Sequence, residues 1–417
     1  MCPLADSDQI EFEAWIEQTV AAALERPHAD FASLTSTLPG IYPQEVLRAL
    51  YALDGRRAQL NGVPAMLAVS ARHQIAVPRP PSGLLGLLPP HPLDFEWRFA
   101  PHAIDLLTDA VLGLTPRGAG VALVGTPTLA ATRAPAMDVL AVDYYGMDAR
   151  TLAELGVAAH LCNVYTADLL QAPEVRERYT TLVMDPPWYE EHVRRFLYFA
   201  ASALRLGGHL LLAVGASGTR PGIAGENRRT LAWAENLGLT LKNIRPGALP
   251  YETPPFERNA LRAAGILNVG ADWRRGDLWT LCKETSRSPD WPGNITRAPW
   301  KDFRFGAVRV RVDTGGESIG PDPSLRSIVE GDVLPTVSRR DARRAAVRVW
   351  TTGNRVFACD APLKFASMVE AWHEPKNIRD LPHDVEQSAR DQFFSIIERE
   401  RIELAWPCGD AIDLGTC

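Results

Sequence analysis

An aspartate, two prolines and a tryptophan, Asp185-Pro186-Pro187-Trp188, close the apolar run Leu182-Val183-Met184. These residue types suit the handling of an amino group. A carboxylate and the carbonyl that follows it accept both hydrogens of an –NH2. Two consecutive prolines have no N–H and a fixed φ, so the loop does not fold back to satisfy those acceptors. The Trp188 indole offers a flat face for a planar group, and Tyr189 is placed to line the same pocket. An apolar run ending this way reads as a buried strand that stops at a rigid, polar-tipped loop. The bland alternative is a strand end, a proline turn and a core tryptophan.

The elements that position this loop are legible on both sides of it. From 93 to 285, short apolar runs at Val121–Val124, Val139–Val142, Ala159–Asn163, Thr181–Met184, His209–Val214, Leu239–Ile244 and Leu278–Cys282 alternate with helix-like segments. That alternation predicts a doubly wound α/β sheet, which binds ligands at the carboxyl ends of its strands. The Gly-rich stretch from Gly215 to Gly222 falls on that edge and carries Arg220, a candidate for substrate contact.

Residues 1–75 read as a helical, winged-helix-like module. Ile10, Trp15, Ile16, Val20 and Leu24 recur at helical spacing, Asp30 caps a second helix, and Pro43 opens a third after Pro39-Gly40. Val63, Met66 and Ala68 supply a wing. The third helix is poorly basic, with Arg48 offset by Glu45, which favours packing or dimerisation over reading DNA. Residues 76–92 form a Pro-rich linker. Residues 286–417 form a C-terminal α+β module, with a hairpin expected around Thr351-Thr352-Gly353-Asn354. Arg339, Arg340, Arg343, Arg344, Arg348 and Arg355 cluster there with Trp350 and Phe357, a pattern that grips nucleic acid or a protein partner, or that forms a solvated face.

The chain has 417 residues, a net charge of −6 and 46% hydrophobic residues, which argues for two or three domains and against bulk-charge coating of nucleic acid. The cysteines are scattered without a CxxC pair, as in a reducing compartment. With no apolar run of spanning length and no basic-then-apolar start, the expectation is a cytoplasmic protein with no metal site.

Seven strands with Asp-Pro-Pro-Trp ending the fourth resemble the class I S-adenosylmethionine-dependent methyltransferases, with their Rossmann-like sheet. The motif is similar to that of members methylating exocyclic amino groups, adenine N6 especially. The resemblance covers about 190 residues. It implies S-adenosyl-L-methionine as cofactor and transfer of its methyl to an amino group, with Asp185, Pro186, Pro187 and Trp188 as the catalytic loop. It places Gly125 and Thr126 at the cofactor turn and Asp143, closing its strand, on the ribose hydroxyls. It puts Asp168 on the adenine and Pro101, in Arg98-Phe99-Ala100-Pro101, toward the methionine end. The turn departs from the family in having one glycine followed by Thr126-Pro127-Thr128. The layout also resembles the branched-chain polyamine synthases, which implies aminopropyl transfer to a polyamine as an alternative. A third reading is a fold that has lost its cofactor and serves as a binding scaffold.

Overall fold

The computed structural model describes residues 3–28, 30–38, 40–56, 86–94, 97–134, 137, 140–161, 175–270, 272–287, 293, 299–315, 320–373 and 385–405. Asp168 and the expected wing lie outside them. The chain forms two compact units. The first comprises 1–88, 97–253 and 268–295; the second comprises 89–96, 254–267 and 296–417.

In the first unit, helices α1 (Pro3–Ala23), α2 (Phe31–Thr37) and α3 (Pro43–Arg56) precede the sheet. Asp30 caps α2 in a reciprocal box with Ser33, accepting its N–H at 2.8 Å. Phe12, Ile16, Val20, Leu34, Val46 and Leu50 are buried, and Arg48 pairs with Glu13 and Glu45. The turn after α2 is not a free reading surface. A Cβ on Gly40 would lie 2.7 Å from the Arg275 carbonyl, and Gly270 N–H donates to the Thr35 hydroxyl at 3.2 Å.

Among the described residues the sheet has eight strands rather than seven. They are β1 (Arg98–Phe99), β2 (Gly120–Val124), β3 (Ala141–Gly146), β4 (Ala158–Leu161), β5 (Tyr179–Met184), β6 (Leu204–Gly215), β7 (Leu239–Glu252) and β8 (Arg275–Lys283). The extra strand is β1, a two-residue edge paired antiparallel with the far end of β7. No periodicity is readable over two residues, which is why the sequence did not show it. The order is β1-β7-β8-β6-β5-β2-β3-β4, with β2, β3, β4, β5 and β6 parallel and β8 antiparallel to its neighbours β6 and β7. Central strands β2 and β5 are apolar and buried on both faces, as parallel strands covered by helices must be. Helices α4 (Pro101–Leu114), α5 (Pro127–Arg133) and α6 (Ala149–Glu154) cover one face; α7 (Glu190–Ala203) and α8 (Ile223–Asn236) cover the other. From β2 the chain builds outward one way through β3 and β4, then returns to build the other way through β5 and β6. The switch point therefore lies between β2 and β5.

The second unit carries α9 (Pro255–Ala263) and an antiparallel sheet in the order β11-β13-β12-β10-β9. Its strands are β9 (Trp300–Phe305), β10 (Val308–Asp313), β11 (Arg326–Ser327), β12 (Val349–Thr351) and β13 (Val356–Ala358). The expected hairpin is the β12–β13 pair. Helices α10 (Pro362–His373) and α11 (Val385–Ala405) close over Val308, Val310, Val312, Phe365 and Phe393. Among the described residues no helix is long and apolar enough to cross a membrane, and no cluster of metal-ligating side chains occurs.

Candidate active site

Strand β5 delivers Asp185 to the switch point. Its N–H still bonds the Val124 carbonyl at 3.2 Å, so the sheet ends there, and Pro186 and Pro187 prevent continuation. Tyr189 N–H returns to the Pro187 carbonyl at 2.7 Å, and Tyr189 then caps α7, whose first turn holds Glu190 and Glu191. Gly125, at the end of the neighbouring strand, has φ +67; a Cβ there would stand 3.2 Å from the Asp185 carbonyl. Only glycine lets the two strand ends approach this way without strain.

The Asp185 carboxyl accepts a hydrogen bond from the Tyr251 hydroxyl at 2.8 Å. Burial pushes its pKa up to about 8, against the opposing pull of the Tyr251 hydroxyl, the Arg274 guanidinium and the Trp188 indole. Tyr251 is itself buried, and its hydroxyl is raised well above the usual range by burial and by the adjacent Asp185. This carboxyl therefore exchanges its proton near neutral pH, the behaviour wanted of a general base.

Trp188 sits in a seat cut by two glycines. Gly215 and Gly276 face each other across β6 and β8. A Cβ on the first would come within 3.0 Å of the indole, and one on the second within 2.8 Å. Tyr251 packs edge-on at 5.4 Å, and the Arg274 guanidinium lies over the ring at 4.7 Å. The half-buried indole is thus largely engaged from within the chain rather than offered bare to a base.

Arg220 is also committed internally. It forms a two-pronged pair with Glu226, donates to the Trp188 carbonyl at 2.6 Å and covers the Tyr189 ring at 5.0 Å. It thereby ties the Gly-rich stretch to the loop that carries Trp188 and Tyr189. Pro101 opens α4 directly after β1, whose Phe99 is in register with Tyr251.

Asp143 departs from expectation in position and in company. The strand runs on to Gly146, so Asp143 lies inside β3, level with Ala122, and does not close it. Its carboxylate accepts from the Tyr179 hydroxyl at 2.8 Å, pairs with Arg178 at 2.8 Å and faces His160 at 3.4 Å. The Tyr179 hydroxyl also bonds that of Tyr145. Both oxygens of this carboxylate are thus engaged by side chains of the first unit. At the end of this strand the acidic residue is Asp148, buried and accepting the Leu88 N–H at 2.7 Å.

The cofactor corner fits in part. Gly125 supplies the tight turn, and the buried Thr126 hydroxyl has no hydrogen-bond partner among the described residues, so it can serve a ligand's polar atom. Pro127 is the first residue of α5 and contributes no N–H. In the second unit, Arg339, Arg340 and Arg343 are exposed, whereas Arg355 is buried against Glu400 and Glu403, and Arg348 faces Asp313. Arg344 stacks on Trp350 at 4.3 Å. Trp350 and Phe357 are core residues, so the interleaved aromatics form no surface platform.

Tyr251 begins a segment whose place between the last two strands suggests substrate recognition, but its bond to Asp185 is not readable from spacing, and neither are Arg274, Trp97 and the glycine seat. Strand register brings most of them in: Tyr251 N–H bonds the Arg274 carbonyl at 3.0 Å. Nothing in the spacing of these residues announces that pairing.

No family model and no curated protein matches the chain. Among solved structures it is similar to a branched-chain polyamine synthase mutein from Thermus thermophilus, at 14% identity over 70% of this chain and 98% of that one, with a TM-score of 0.45. It is also similar to a TehB-like SAM-dependent methyltransferase from Corynebacterium glutamicum, at 14% identity over 44% and 89%, TM-score 0.29. A third is the geranyl diphosphate C-methyltransferase from Streptomyces coelicolor, solved with S-adenosyl-L-homocysteine, at 12% identity over 43% and 80%, TM-score 0.28. Similarity at this level carries no weight for function, which rests on the site's own geometry.

Proposed function

We propose that this protein transfers a methyl group from S-adenosyl-L-methionine to an amino nitrogen held at Asp185. The observation that carries this reading is the Asp185–Tyr251 pair, set at the sheet's switch point beside the Gly125 turn. When bound, the cofactor supplies an electrophilic methyl; Gly125 and the Thr126 hydroxyl are the residues that would hold it. The chain's own contribution is to aim the acceptor. The Asp185 carboxylate and the Pro186 carbonyl accept the amine's N–H bonds, localising its lone pair, and Asp185 takes the proton released. Tyr251 fixes the carboxylate oxygen, while Trp188 and Arg220 keep the loop from swinging. Such positioning contributes on the order of 7–11 kcal/mol in favourable cases.

The saturated Asp143 supports one second reading, a scaffold without the cofactor. Calorimetric titration of the whole chain with S-adenosyl-L-methionine, its decarboxylated form and S-adenosyl-L-homocysteine separates the readings. Micromolar binding of the first and third supports methyl transfer. Preference for the decarboxylated form moves the activity to aminopropyl transfer, and binding of none leaves the scaffold. The exposed Arg339, Arg340 and Arg343 make nucleic acid the acceptor-bearing partner to try first, with binding expected to weaken as salt rises.

A further inference from the structure

We infer that Arg274 sets the charge of the acceptor: its guanidinium, stacked between Trp97 and Trp188 beside the Asp185 carboxyl, selects an amine on an uncharged or anionic molecule and excludes polycations. The inference rests on Asp185 being the group that holds the amine. The guanidinium carbon lies 4.0 Å from the Trp97 ring centroid and 4.7 Å from that of Trp188, with Trp273 at 6.0 Å. All three are within the range at which a cation is drawn to an indole face. Trp273 meets Trp97 edge-on at 6.1 Å and Tyr42 at 5.4 Å, so the rings brace one another. The backbone of Arg274 is fixed opposite Tyr251, the residue whose hydroxyl holds Asp185.

Aromatic rings beside a carboxylate would otherwise make a good receptor for an alkylammonium ion. Here the chain fills that receptor with its own cation, and a second positive charge brought beside it is repelled. Guanidinium stays charged throughout the working pH range. An aryl amine on a nucleotide brings no second cation beside it; a polyamine brings several.

The test is calorimetric binding of spermidine and of adenosine 5′-monophosphate to the full chain, in wild type, Arg274→Met and Arg274→Lys. Wild type is expected to bind the nucleotide at least about tenfold more tightly than the polyamine. Arg274→Met, which keeps the stem and loses the charge, is expected to shrink that ratio by about tenfold, whereas Arg274→Lys retains it. Equal or tighter binding of spermidine by wild type overturns the inference, as does binding of neither ligand at millimolar concentration, or an unchanged ratio in Arg274→Met. If Arg274→Met does not fold, judged by circular dichroism, the wild-type ratio decides alone. A preserved ratio without methyl transfer would overturn the proposed reaction and leave the charge selection standing. Transfer without the ratio would do the reverse.

Discussion

Asp94 in the second unit is buried and Asp185 in the first is partly so, and the fold treats the two carboxylates in opposite ways. Burial opposes ionisation of each. At Asp94 the Arg311 and Arg309 guanidiniums outweigh it and hold the pKa at about 2, Arg309 donating at 2.7 Å. Asp302 completes the cluster from β9, with Arg311 Nε at 3.0 Å. At Asp185 a tyrosine hydroxyl and the Arg274 guanidinium are not enough, and the value rises to about 8. The contrast shows that burial alone does not decide what a carboxylate does. Bonded directly by two guanidiniums it is a permanently charged clamp; held by a tyrosine hydroxyl, with one guanidinium not in contact, it is a group that trades protons near neutral pH.

The largest expected effect comes from breaking the clamp. Asp94→Ala leaves Arg309 and Arg311 buried with only the half-exposed Asp302 between them and is expected to cost about 3–5 kcal/mol, read as a lower urea midpoint. Asp185→Asn is expected to do the opposite: transfer falls by about 10²–10⁴, while the fold holds. The two also differ in pH dependence. Asp185 has a folded pKa above its unfolded value, so its stabilising contribution is full in acid and is lost as pH rises through about 8. Asp94 has a folded pKa below its unfolded value, so its contribution is full near neutrality and is lost as pH falls toward about 2. Denaturation curves across pH for the two variants would each lack one of these slopes.

Smaller changes sharpen the comparison. Gly276→Ala pushes a methyl into the Trp188 seat and is expected to cost about 1–3 kcal/mol, with a shift in tryptophan emission. The kcat/KM of wild type is expected to rise with pH through about 8 as Asp185 becomes able to accept a proton. Tyr251→Phe removes a bond that favours the ionised form, so the midpoint should move upward; an unmoved midpoint would detach the profile from Asp185. The mildest change, Asp30→Ala, loses the cap of α2 for about 1 kcal/mol in thermal melting.

Much of the sheet was legible because its central strands are short apolar runs, and a run such as Leu182-Val183-Met184 ending in Asp-Pro-Pro has few other folds open to it. Asp30 and Pro43 were equally plain, since capping is a local matter. What was not legible was decided by partners far away in the sequence. The alternation of β10 suggests Val308, Val310 and Val312 inward and the arginines outward, yet Arg309 and Arg311 are buried too, because Asp94 meets them from more than two hundred residues away. Asp143 reads as a strand end only while its strand is thought to stop there. The arginine-aromatic cluster likewise looked like a surface until β12 and β13 turned Trp350 and Phe357 into core.

The second unit is assembled from three separate stretches, 89–96, 254–267 and 296–417. It is therefore not a cassette. A fragment starting at 296 would carry Arg309 and Arg311 without Asp94, and Gly353 without the Asn259 amide that bonds its carbonyl at 3.0 Å. Recombination that moves only the C-terminal stretch hands its recipient two buried guanidiniums with Asp302 as their one remaining carboxylate, so this unit is best transplanted with all three of its stretches.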